Sequence, residues 1–180
     1  IEKVKKSEIL DTEQKQTSGI SYKTIGTTLQ ALSVQLDEGE QIISEAGKMA
    51  WMTNNIVMNT KSQGLKKVFS RVFASESLFI NEYTAISGTG LISFSTGQAG
   101  KIIPIDLTQF GGKFICQKDA FLCAAKGVSV GIEFSKKIGR GLLGGEGFIM
   151  QKLEGDGMVF VHAGGTMAKK ELQAGEILRV

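Results

Sequence analysis

Two stretches of this chain repeat one another without a gap. "KKVFSRVFASESLFI" runs from Lys66 to Ile80, and "KKIGRGLLGGEGFIM" runs from Lys136 to Met150. Lys66, Lys67 and Glu76 meet Lys136, Lys137 and Glu146. Val68, Val72, Phe73, Leu78, Phe79 and Ile80 meet Ile138, Leu142, Leu143, Phe148, Ile149 and Met150. The repetition extends on both sides. "EGEQIISEAGKMAW" (38–51) matches "FGGKFICQKDAFLC" (110–123), and "GLISFSTG" (90–97) matches "GMVFVHAG" (157–164). "QAGEILRV" (173–180) then restarts the phrase "DEGEQIIS" (37–44). A unit of about 70 residues therefore occurs twice, with a third begun. A unit of this size has an apolar side that it cannot cover alone, so siblings stacked about a pseudo-rotation axis must cover one another. The opening of a third unit predicts that the natural protein continues past Val180, or that another chain completes it.

The unit is written in strands. "GVSVGIEFS" puts Val128, Val130, Ile132 and Phe134 on one face and Ser129, Gly131 and Glu133 on the other, the period of two of a half-buried strand. "LSVQL" does the same with Leu32, Val34 and Leu36, and "GLISFSTG", "GKIIPIDL" and "GMVFVHAGG" are further short runs bounded by glycine. Glycine occurs 23 times and proline once, at Pro104, which suits tight turns between short strands. Leu65, Val68, Phe69, Val72 and Phe73 instead have helical spacing, predicting a short helix over 65–73. Gly139 and Gly141 weaken the same feature in the second copy, predicting a turn or loop over 136–143. Residues 1–19 are polar and charge-rich and read as an arm, partly helical, outside the repeat. The division expected is an arm over 1–19 and one β domain over 20–180, with units at about 20–97 and 98–164 and a third begun at 165–180.

At this point the residues resemble a known family. "ISYKTIG", "LQALSVQLDEGEQIISEAGKMAWM", "SESLFINEY", "GKIIPIDL", "KFICQKDAFLCAAKGVSV" and "LLGGEGFIMQKLEGDGMVFVHAGG" are similar to the altered-inheritance-of-mitochondria family, member twenty-four of that series, in its uncharacterised bacterial form. The likeness covers about residues 20–180. It implies an all-β fold, a pseudo-repeated β-sandwich of double-stranded β-helix type related to the tryptophan RNA-binding attenuation protein, with one or two short helices. It also implies ring-like homo-oligomers, often trimers, and a mitochondrial biogenesis role in eukaryotes. It supplies no catalytic residues. Here Ser75-Glu76-Ser77 stands where the family usually has glycine before the glutamate.

The residue chemistry points away from catalysis. A cupin-type metal site needs two or three imidazoles with a carboxylate, and this chain has one histidine, His162. Alternation along "VFVHAGG" predicts His162 opposite Val161, on a wet or interfacial face. No G-x-S-x-G elbow is present. "GRGLLGGEG" (139–147) lacks the Lys-Ser/Thr ending of a P-loop and the spacing of a dinucleotide fingerprint. Cys116 and Cys123 flank a turn at Lys118-Asp119 that would pair Cys116 with Phe121, so both are expected as buried free thiols in a reducing compartment.

Glu76 and Glu146 are the polar candidates for a ligand pocket or an oligomer interface. The competing expectation is a structural role at strand entrances. Lys66, Lys67, Arg71, Lys136, Lys137 and Arg140 recur with the repeat and are candidates for binding an anionic surface; solvated faces explain them equally well. Met49, Trp51 and Met52 read as core or subunit contact. The net charge of +3 is no nucleic-acid footprint by itself. No aromatic spacing suits single-strand stacking, so nucleic acid is weighed against as a partner.

The expectation is a cytoplasmic homotrimer, with no cofactor, acting as a scaffold or binding protein that presents a repeated surface to a protein partner or an anionic membrane. Alternatives are a small-molecule binding protein or unrecognised enzyme with a pocket near the pseudo-axis, and an RNA-binding ring. No signal peptide and no run of the roughly 20 apolar residues that span a bilayer are legible.

Overall fold

A computed structural model describes residues 14–17, 20–62, 79–134 and 149–179. The chain is all-β there. In order, it forms β1 (Gln14–Thr17), β2 (Ile20–Ile25), β3 (Ala31–Leu36), β4 (Gln41–Glu45), β5 (Met49–Met52), β6 (Ile56–Ser62) and β7 (Phe79–Ala85). After these come β8 (Gly90–Ser95), β9 (Gly100–Asp106), β10 (Lys113–Gln117), β11 (Phe121–Ala125), β12 (Ser129–Phe134), β13 (Ile149–Glu154) and β14 (Met158–Gly164). The helical element among the described residues is a single 3-10 turn, Leu107–Phe110. Asp106 opens it by accepting from the Thr108 backbone N–H, and Gly111 closes it in the left-handed conformation. The helix expected over 65–73 lies outside the described residues. The charged arm contributes a strand, because Gln14–Thr17 pairs with β2.

The strands form three antiparallel sheets, with orders β1-β2-β3-β8-β5, β6-β7-β4-β11-β14-β9 and β10-β13-β12. The six-stranded sheet lies in the middle. One face packs on the five-stranded sheet through Ile42, Tyr83, Cys123 and Phe160. The other packs on the three-stranded sheet through Ile43, Ile80, Ala124 and Val161. Alternation along each central strand thus feeds two cores. This is why "FLCA" (121–124) and "MVFV" (158–161) are continuous apolar runs, each residue of them buried: a strand covered on both faces has no wet side to mark with polar residues. In the five-stranded outer sheet the ordinary pattern survives, with Leu32, Val34 and Leu36 of β3 buried and Gln35 exposed. Tyr22 meets Phe160 edge-on at 4.8 Å and Tyr83 meets Phe94 at 5.7 Å, joining the five- and six-stranded sheets by contacts worth about 1 kcal/mol each beyond burial. Pro104 sits on β9, an edge strand of the central sheet, where its missing N–H costs no ladder bond.

The ladders have closely similar registers in the two halves of the chain. In β4–β7, Gln41 faces Thr84 and Glu45 faces Ile80; in β10–β13, Lys113 faces Glu154 and Gln117 faces Met150. β5 meets β8 with a bulge between Met49 and Trp51, and β11 meets β14 with a bulge between Phe121 and Cys123. β6 pairs with β7 as β12 pairs with β13, and β3 pairs with β8 as β9 pairs with β14. One ladder crosses between the halves: β4 against β11, with Ile43 opposite Ala124 and Ser44 opposite Cys123.

The expected pairing of Cys116 with Phe121 is not found. The turn exists, with the Ala120 N–H donating to the Gln117 carbonyl at 3.1 Å and Asp119 at φ 70°. The strands on either side of it then part. Cys116 lies opposite Gln151 in one sheet and Phe121 opposite Val161 in another. The turn is a corner between layers, and a sequence cannot distinguish a corner from a hairpin when both are short and polar.

Candidate functional site

Glu76, Glu146, Lys66, Lys67, Arg71, Lys136, Lys137 and Arg140 lie outside the described residues. Their segments connect strands that pair with each other: Ser62 of β6 faces Phe79 of β7, and Phe134 of β12 faces Ile149 of β13. Trp51, expected in the core or in a subunit contact, is 47% exposed, while Met49 and Met52 pack partly against the core. His162 corrects a second expectation. It is buried, opposite Ile102 of β9, and its Nε2 has no hydrogen-bond partner. Alternation failed to place it because β14 has no wet face. Among the described residues no group of three His, Cys, Asp or Glu is placed to share a metal ion.

The polar groups that do converge lie at the end of the β4–β11 seam, where the sequence singles out only Cys116. Gln151, in the middle of β13, is 1% exposed, and neither atom of its amide completes a hydrogen bond. Glu45, the last residue of β4, has a buried Oε2 in the same condition. Burial raises the Glu45 carboxyl above its ordinary pKa. Lys48 opposes that shift, Asp119 adds to it, and the nearby Gln151 amide and Lys118 oppose it. Lys48 is itself tied across the seam, its Nζ donating to the Asp119 carbonyl at 3.2 Å. Cys116, opposite Gln151, is pushed up to about 11, first by burial and then by the Glu45 carboxylate. Cys123 is raised by burial. Both cysteines are free and buried, as expected, and both are held as neutral thiols.

The lack of partners at Gln151 has a local cause. Asn81 holds the corresponding place in β7, and there Thr60 donates its hydroxyl to Oδ1 at 2.9 Å while Nδ2 donates to the Tyr83 hydroxyl at 3.3 Å. The positions matching Thr60 and Tyr83 are Ile132, opposite Gln151 on β12, and Leu153, two residues along its own strand. Neither can accept or donate, and the polar neighbour left to the amide is the Glu45 carboxyl, whose charged form it favours. A buried amide without well-formed hydrogen bonds costs about 1–3 kcal/mol, and the seam gathers one carboxyl, one amide and one thiol whose hydrogen bonding the fold leaves incomplete.

Three antiparallel sheets in layers define an all-β protein. The chain belongs to the mitochondrial biogenesis AIM24 family, whose profile matches residues 22–180. It is 26% identical over 175 residues to the uncharacterized protein M6_Spy0233 of Streptococcus pyogenes serotype M6, a match covering 91% of this chain and 68% of that one. The crystal structure of protein SPYM3_0169 from Streptococcus pyogenes superposes with a TM-score of 0.61 at 22% identity, over 81% of this chain and 65% of that one. That likeness is one of fold. The chain therefore spans about two thirds of the length of these relatives. Among the described residues no helix is long and apolar enough to cross a membrane.

Proposed function

We propose that the protein is a non-enzymatic scaffold or binding protein built by repeating one two-sheet β unit, and that it presents a recurring surface to a partner as a homo-oligomer, a trimer in the favoured form. The observation that supports this reading is the correspondence of the ladders. The blocks β3-β8-β5 and β6-β7-β4 recur as β9-β14-β11 and β12-β13-β10. The registers agree residue for residue: Gln41 opposite Thr84 becomes Lys113 opposite Glu154, and the bulge after Met49 becomes the bulge after Phe121. Paired sheets of this kind suit the double-stranded β-helix architecture implied by the family resemblance. The β4–β11 seam then joins siblings edge to edge, with backbone hydrogen bonds rather than a particular side chain as the adhesive.

A repeated surface gains strength by multivalency, since each added copy makes the next contact intramolecular. The outer edge of the central sheet, β6, exposes Val57 and Met58, which suits burial between subunits. Light scattering on the intact protein over a range of concentrations is expected to give a fixed multiple of the chain mass. A monomer throughout would remove the oligomer from the reading. The repeated basic residues from Lys66 to Arg140 support an anionic membrane surface as the partner. Binding to phosphatidylserine vesicles should be strong at low salt and lost at high salt, and no binding at low salt would remove the membrane.

One observation favours a second reading. The unmatched Gln151 amide and Glu45 oxygen suit a small polar ligand that offers both a donor and an acceptor. Replacing Gln151 by leucine in a Glu45→Gln background, where the amide's contact with the carboxylate is already gone, separates the two readings: the change destabilises the fold there only where a ligand satisfies the amide.

A further inference from the structure

The central sheet ends in two strands, β9 and β6, and its two edges are finished differently. At β9 the Gly165 N–H donates to the Ala99 carbonyl and the Leu107 N–H to the Gly157 carbonyl, both at 3.2 Å. Residues 101, 103 and 105 therefore bond to β14, and Gly100, Ile102 and Pro104 turn outward. None of the three has an N–H to spare. Gly100 donates to the Thr28 carbonyl at 2.9 Å, Ile102 donates to Gln30 Oε1 at 2.7 Å, and Pro104 has no N–H. Lys101 ties the same loop down, its Nζ donating to the Thr27 carbonyl at 2.8 Å. A proline and a covering loop are devices that keep a further strand off a sheet edge.

Among the described residues β6 has neither device. The Ile86 N–H donates to the Asn55 carbonyl at 2.9 Å, which fixes the alternation: Val57 and Asn59 bond to β7, and Met58 and Thr60 turn their N–H and carbonyl groups outward. Neither outward N–H meets an acceptor among the described residues. Residues 57–60 are all exposed, and the strand contains no proline, no glycine and no charge before Lys61. Val57 and Met58, on opposite faces, are 40% and 43% exposed. β12, which takes the place of β6 in the second half of the chain, carries Glu133, and its Val130, matching Met58, is 4% exposed.

We propose that the outer edge of β6 is a docking site for an extended segment of another protein, which joins the central sheet through the backbone of Met58 and Thr60. The segment is free of proline and sets one apolar side chain beside Met58 and another, on the opposite face, beside Val57. The size of the edge selects this occupant. Two seven-residue strands laid side by side fall well short of the roughly 20–30 residues a side that a stable dimer needs, whereas a short peptide draws its affinity from main-chain hydrogen bonds to a single edge. This inference rests on the reading of the protein as a binding scaffold and names the edge that such a scaffold uses.

Hydrogen exchange on the intact protein tests it. The probe is a synthetic seven-residue peptide of alternating valine and threonine, closed by a lysine at each end. In the free protein the Met58 and Thr60 amides should exchange fast and those of Val57 and Asn59 slowly. Millimolar peptide should slow Met58 and Thr60 by about tenfold or more. Met58→Pro removes one outward N–H and no bond to β7, and should weaken peptide binding about fivefold or more. The same peptide N-methylated at every residue needs no protein variant and should give no protection. No protection from the unmodified peptide, or equal protection from the methylated one, overturns the proposal. Protection that grows with protein concentration in the absence of peptide assigns the edge to a second copy and overturns it too. Vesicle binding and light scattering test the scaffold reading without involving position 58, so that reading stands or falls separately.

Discussion

Asn81 faces Ser44 across β4–β7 as Gln151 faces Cys116 across β10–β13, yet Asn81 is hydrogen-bonded to Thr60 and Tyr83 while the Gln151 amide forms no well-aligned hydrogen bond and has only the Glu45 carboxyl near it. The two amides should therefore respond to the same substitution with opposite signs. Gln151→Leu removes a buried amide whose hydrogen bonding is incomplete and, in a Glu45→Gln background where the nearby carboxylate is gone, is expected to stabilise the fold by about 1 kcal/mol, read from the urea midpoint. Asn81→Leu strands the hydroxyl of the fully buried Tyr83 and should destabilise by about 1–3 kcal/mol. If Gln151→Leu is instead destabilising in that background, a bound polar ligand at the seam becomes the better reading.

Glu45 gives the seam a pH dependence. Its folded pKa lies above the unfolded value of 4.5 because burial disfavours the charge. Between those two values the folded state binds more protons than the unfolded chain, so stability falls as pH rises through them. Glu45→Gln removes the charge. The variant and the parent should be alike below pH 4.5, and the variant should gain relative to the parent as pH rises through the raised folded pKa and hold that gain at pH 7. Thermal melts across this range check it; a gap of the same size at pH 4 and pH 7 would rule out ionisation as the cause.

The thiol beside it offers a chemical readout. At about 11 instead of 9.0, Cys116 holds about 100-fold less thiolate at pH 8 than an ordinary cysteine, and its alkylation by iodoacetamide should be slowed at least that much. Glu45→Gln leaves the burial but removes the neighbouring negative charge, so the pH–rate profile of Cys116 should move to lower pH. Peptide mapping distinguishes Cys116 from Cys123, whose rate should not respond to the substitution.

The sequence made the strands legible wherever one face stays wet, as at Leu32, Val34 and Leu36, and made the repeat legible because both copies kept their spacing. The internal geometry was less accessible. His162 and the run from Phe121 to Ala124 lie in strands covered on both faces, where alternation carries no information about exposure. The corner at Lys118-Asp119 has the composition of a hairpin turn. The seam was hidden for another reason: Glu45 and Gln151 are far apart in the chain and ordinary in type. What marks them is the absence of partners, which depends on Ile132 and Leu153 standing beside Gln151. A comparison of the two copies position by position, Thr60 with Ile132 and Tyr83 with Leu153, was the one signal that could have found it.

Glycine at position 100 separates two reasons for needing that residue. A Cβ on Gly100 would lie 2.2 Å from the Ala163 carbonyl oxygen and 2.6 Å from His162 Nε2, whereas one on Gly39 would meet nothing within 4 Å. Both have positive φ, 157° and 84°. Gly39→Ala therefore bears only the backbone cost and should lose about 1–2 kcal/mol. Gly100→Ala must also displace the backbone of β14 in a sheet covered on both sides, and should lose about 3 kcal/mol or more. Shortening the histidine as well, in Gly100→Ala with His162→Ala, removes one of the three clashes and leaves those with the Ala163 carbonyl and the Gly164 Cα. The double variant should then be more stable than the sum of the single losses predicts, without reaching the parent. Strict additivity in denaturant unfolding would mean that the His162 ring does not press on Gly100, and that some other contact holds it in the sheet.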